Sequence, residues 1–149
     1  MVIGSFTTAN SSYAVDKAPK GYSDVINNFI DGYMTGDHKK LDKVFSDDAS
    51  IKIPRADAVL VHSREKMLEQ MKNAGTTNQN CRSNYEVLDK SDAMIIAKVN
   101  FKYNEFTQHN YIVLEKNENK EWKITQVCKF FEDNSTSKQA PTNVTASNL

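Results

Sequence analysis

At 149 residues the chain has the length of a single domain, and 19 Lys+Arg against 19 Asp+Glu leave a formal net charge of +0. That balance supplies no long-range field to recruit nucleic acid or an anionic membrane, so neither is expected as a partner. With 39% hydrophobic and 26% charged residues there is material for one core, and the polar excess behind a mean hydropathy of -0.61 lies in the two tails.

The opening Met1-Val-Ile-Gly-Ser-Phe-Thr-Thr has no basic region and no apolar run of signal-peptide length, and no stretch approaches the ~20 apolar residues of a spanning helix. A soluble, cytoplasmic protein is expected. Residues 1–19 and 134–149 are rich in Ser, Thr, Ala and Asn without periodicity and read as polar tails around one domain, residues 20–133. Glycosylation-type triplets begin at Asn10, Asn134 and Asn143, all in tail composition where such triplets arise by chance.

Tyr22, Val25, Ile26, Phe29, Ile30 and Tyr33 share one helical stripe, with Pro19 before it and Gly36 after it as start and stop signals. Asp37 is placed to cap a second, shorter helix carrying Leu41, Val44 and Phe45. Asp47-Asp48 reads as a turn, and Ala49, Ile51 and Ile53 then alternate on one side of a strand ended by Pro54. Val59-Leu60-Val61 can return beside it before Ser63 caps a third helix bearing Met67, Leu68 and Met71 and stopping near Gly75.

From there the period becomes two. Runs over residues 81–89, 93–103, 108–116 and 121–132, separated by short turns, predict an antiparallel meander. In the second run Ala93, Ile95, Ala97, Val99, Phe101 and Tyr103 point one way. In the third, Asn110, Ile112 and Leu114 are taken inward, because the other register buries Glu115 without a partner. Helices first and a meander last describe an α+β domain.

This order resembles the nuclear transport factor two-like superfamily. The segment Tyr33-Met-Thr-Gly-Asp37, Leu41, Val44-Phe45-Ser-Asp-Asp-Ala49 carries the likeness, and Leu114-Glu-Lys116 with Trp122-Lys-Ile124 looks most like its lumazine-binding-like branch, beside SnoaL-like members. The resemblance implies three helices packed on a strongly curved mixed or antiparallel sheet, a conical half-barrel whose concave side forms a pocket. It also implies pairing into homodimers through the convex sheet face, for which Tyr111, Val113, Val127 and Phe131 beside Lys98 and Lys129 are the residues expected.

Carrying the inward periodicity through the strands gives a candidate ligand-binding set of Phe29, Tyr33, Ile53, Val99, Phe101, Tyr103, Asn110, Gln126 and Cys128. The isomerases of this superfamily use an inward carboxylate base, a Tyr and a protonated acid. Here the matching positions hold Ile53, Phe29 and Asn110, so that proton chemistry is excluded. His38 reads as a solvated loop residue, His62 as a residue beside a cap, and His109 as convex.

No phosphate loop, nucleophilic triad or metal-ligand spacing occurs, so no cofactor or metal is expected and no catalytic residue is assigned. Cys81 and Cys128 stand alone and read as two thiols in a reducing compartment, with one disulfide as the alternative. The function these residues imply is a module holding a small apolar or aromatic molecule in the cone. The alternatives are a lyase, isomerase or cyclase acting through His62 or Tyr33, and a mainly structural homodimeric domain.

Overall fold

A computed structural model describes residues 21–135. The tails expected at 1–19 and 134–149 lie outside these residues, apart from Asn134 and Ser135.

Helix α1 (Tyr22–Thr35) buries Val25, Ile26 and Phe29, as its apolar stripe requires. It stops at Gly36, whose φ of 69° lies in the left-handed region. A Cβ there would come within 2.9 Å of the Gly75 carbonyl, so the residue is fixed by conformation and by space together. Helix α2 (His38–Val44) follows at once, its first turn capped by the Asp37 carboxylate accepting from the Lys40 amide at 3.0 Å. Gly32 lets Leu41 press against α1, since a Cβ on it would meet the Leu41 side chain at 2.9 Å.

Strand β1 (Phe45–Arg55) and strand β2 (Ala58–Ser63) form a hairpin, and Ser63 caps helix α3 (Arg64–Ala74) by accepting from the Lys66 amide at 3.2 Å. The meander is β3 (Arg82–Lys90), β4 (Met94–Lys102), β5 (Phe106–Lys116) and β6 (Trp122–Asp133). Asp47 and Asp48, expected as a turn, instead lie inside β1. They are exposed, in a stretch where the pairing with β6 shifts between Phe45 and Ser50.

The six strands make one mixed sheet in the order β2-β1-β6-β5-β4-β3, with β1 parallel to β6 and the other neighbours antiparallel. Helices on one face of an open six-stranded sheet give the α+β cone. Its core joins Val25, Ile26 and Phe29 to Ile51, Ile95, Val99, Phe101, Ile112, Leu114, Ile124 and Val127. Phe29 makes ring contacts with Phe45 and Phe101, at 6.0 and 6.4 Å between centroids, and such pairs contribute roughly 0.5–1.5 kcal/mol each beyond the area they bury.

The β5–β6 pairing carries one irregularity that decides the inner surface. Leu114 pairs with Ile124 but Val113 pairs with Gln126, leaving Thr125 as an extra residue on β6. A bulge of this kind changes which parity faces inward. Beyond it Val127 is 1% exposed in the core, and Lys129 and Phe131 share its face opposite Asn110 and Gln108. Gln126 and Cys128, expected inward, therefore lie on the convex face opposite Val113 and Tyr111. Val127, Lys129 and Phe131, expected on the convex face, belong to the inner one.

Candidate functional site

The wide end of the cone is where polar groups gather. Tyr33, on the last turn of α1, donates from its hydroxyl to Oε1 of Gln108 at 2.8 Å. Gln108 donates onward from Nε2 to Oδ1 of Asn110 at 2.9 Å, and Asn110 donates to the Val99 carbonyl at 3.4 Å. Gln108 and Asn110 are 3% and 0% exposed, and each is satisfied only through this chain.

Tyr103, just past β4, donates from its hydroxyl to Oε1 of Gln79 at 3.2 Å and stacks on Phe106 with centroids 4.6 Å apart. Burial pushes the Tyr33 phenol above its ordinary range, more than its contacts with Tyr103 and Gln108 draw it down. Tyr103 is raised too, by burial first and then by Tyr33. Both phenols stay neutral and serve as hydrogen-bond donors and acceptors.

The residue missed by sequence reasoning is Lys129. The bulge at Thr125 turns it inward, directly across from Asn110, with its ammonium 5.2 Å from the Tyr33 ring centroid. Burial lowers it from 10.5 to about 8. Some solvent still reaches the side chain. A signal existed in the sequence: Val127, a strong core former, falls out of step with Trp122 and Ile124 in a strictly alternating strand.

The structure divides the expected site residues into three groups. Tyr33, Tyr103 and Asn110 come together with Gln108 at the wide end, and Ile53 packs partly buried on the same inner face. Phe29, Val99 and Phe101 are 3%, 0% and 0% exposed and close on one another and on Tyr33, so they form a packed floor where an open lining was expected. Gln126 and Cys128 are outside the cone, bonded to each other at 3.2 Å.

Tyr103 also lines an open cleft of about 530 Å³ together with Cys81, Arg82, Lys102 and Asn134. The Asn134 amide ties this corner down by donating to the Tyr103 carbonyl at 2.7 Å. Of the histidines, His109 is convex and engages Asn100 and Glu132 at 2.6 and 2.8 Å. His62 pairs across from Ile51 on the edge hairpin. Among the described residues no three His, Cys, Asp or Glu side chains cluster as a metal would need, and both cysteines are free.

Across residues 18–132 the chain matches the profile of a family described as "Putative lumazine-binding". The chain belongs to this lumazine-binding-like family. No curated protein matches it. Among solved structures, this lumazine-binding-like chain is similar to an NTF-2 like protein of unknown function from Silicibacter pomeroyi, at 13% identity and a TM-score of 0.63 over 74% of this chain and 92% of that one. An NTF2-like protein of unknown function from Methylobacillus flagellatus aligns at 17% identity and 0.62, over 74% and 88%. A ketosteroid isomerase-like protein from Erwinia carotovora atroseptica aligns at 11% and 0.55, over 76% and 95%. These likenesses establish the nuclear transport factor two-like fold.

Proposed function

We propose that the protein binds a small planar aromatic molecule at the wide end of its cone, oriented by Tyr33 and Tyr103, with buried Gln108 and Asn110 holding the Tyr33 hydroxyl in place. The observation that carries this reading is the hydrogen-bonded chain from Tyr33 through Gln108 to Asn110, on walls that are apolar apart from Lys129. A few convergent neutral polar groups within apolar surroundings suit a ligand with an oxo or hydroxy edge and a flat apolar body. The family's description adds lumazine, an oxo-bearing pteridine, as the first compound to try.

Fluorescence titration with lumazine tests the reading. Saturable quenching is expected, weakened about tenfold in Tyr33→Phe, in line with the roughly 1–1.5 kcal/mol of one buried hydrogen bond. No response to lumazine or to a panel of small aromatic acids and ketones would overturn it.

The convex face favours a second, compatible role. Tyr111 and Phe130 meet there edge to face at 5.6 Å beside a shallow hollow of about 470 Å³, while Phe130 and Ile96 remain 46% and 38% exposed. Apolar exposure of that kind on a sheet fits an isologous contact between two copies of the chain. Two free thiols suit a reducing compartment such as the cytoplasm. No helix among the described residues is long and apolar enough to cross a membrane.

A further inference from the structure

Lys129 is a cation that the binding role does not require. Its neighbours across and beside it on the sheet are Asn110 and, one residue beyond the Lys52–Cys128 pair, Ile53. From α1 the Tyr33 ring lies 5.2 Å from the ammonium. The inward positions of β5 and β4 at this level are Gln108, Asn110, Val99 and Phe101, none of them acidic. Arg55 and Asp133, at the ends of β1 and β6, are exposed. Among the described residues Lys129 has no ion-pair partner.

A structural lysine on an inner wall ordinarily carries a carboxylate beside it, because an unpaired ammonium in low dielectric is costly. One without such a partner loses its proton readily, as burial does here in bringing Lys129 down to about 8. About a tenth of it is then free amine at pH 7, against well under a thousandth for an ordinary lysine. The free amine is the nucleophilic form.

We propose that Lys129 is a nucleophilic amine that condenses with small apolar or aromatic aldehydes and ketones entering the wide end of the cone. Its nitrogen lone pair attacks the carbonyl carbon, and the carbonyl oxygen gains a proton to give a carbinolamine. Loss of the hydroxyl as water forms the carbon–nitrogen double bond of an imine, so one carbonyl and one amine yield one imine and one water, with no change of oxidation state. Tyr33, whose ring lies 5.2 Å from the ammonium, supplies a hydroxyl for the carbonyl oxygen, and Ile53 and Phe131 supply apolar surface. The proposal rests on the binding reading for the place where the ligand enters.

The experiment traps the imine in the full chain. Protein at pH 7 is treated with benzaldehyde and cyanoborohydride, and the reduced adducts are mapped by peptide mass spectrometry. Adduct formation at Lys129 is expected to exceed the mean of exposed lysines such as Lys39 and Lys72 at least tenfold, with a half-maximum near pH 8, and to disappear in Lys129→Arg. Labelling spread evenly over surface lysines, or a Lys129 rate that climbs only above pH 10, overturns the proposal. Because the mapping uses wild-type protein, it stands even if the arginine variant fails to fold. Lumazine quenching without a Lys129 adduct sinks the imine alone, whereas a Lys129 adduct without lumazine quenching upholds the imine and counts against lumazine as ligand.

Discussion

Lys129 sits where alternation on β6 would have put a side chain in water, and its ammonium pays for that position in stability. Its folded-state value of about 8 lies below the 10.5 of an unperturbed lysine. Between those two values the unfolded chain binds more protons than the folded one, so this residue makes stability rise with pH across that window. Below about pH 8 the full cost is present, on the order of 3 kcal/mol before allowance for residual hydration. Lys129→Met is therefore expected to be more stable than wild type by about 2–3 kcal/mol at pH 7, with the gain fading by pH 10–11. Urea titrations at several pH values read this directly, and a pH-independent difference would contradict it. Tyr33 and Asn110 were legible because Tyr33 lay on a clean helical stripe and the wrong register for Asn110 buried Glu115. Lys129 was not, because no rule of alternation places a charge in a core.

The elements themselves followed from local chemistry. The stripe of α1, the caps Asp37 and Ser63 and the stop at Gly36 all act over a few residues, so the sequence displays them and the structure contains them. The bulge at Thr125 does not announce itself, since its cause is the fit of β6 to β1 and β5 at once. That is why the inner face was read correctly up to Ile124 and with inverted parity beyond it. Deleting Thr125 takes out the extra residue and leaves Gln126 opposite Val113 and Val127 opposite Ile112, so every side chain beyond it keeps its face. The expected result is a cooperative thermal transition, followed by circular dichroism, within a few degrees of wild type. Loss of the cooperative transition would show that β6 needs the bulge itself to fit β1 and β5 at once.

For the whole molecule, the cone and its two faces were foreseeable from the order of elements, but the residues of the proposed convex contact were not, because the bulge on β6 decides which side chains that face carries. The residues that now define that face are Tyr111, Val113, Phe130 and Ile96, with Lys98 held 5.6 Å over the Tyr111 ring. Phe130→Asp is expected to shift sedimentation from dimer to monomer at micromolar concentration while leaving the melting temperature of the isolated fold nearly unchanged. A wild-type protein that sediments as a monomer would remove the dimer reading altogether.

The sheet order also sets a timetable. β6 lies between β1 and β5, so the hairpin of β1 and β2 has no further strand beside it until the end of the domain has been synthesised. Some 67 residues separate Arg55 from Trp122, which at 5–20 residues per second is a wait of roughly 3–13 s. During that interval Ile51 lacks its neighbour Val127, and the side of β1 that β6 will occupy is an open edge. The β1–β2 hairpin is therefore left with one unpaired strand edge for the whole of that time, and the last strand of the domain is the one that closes it.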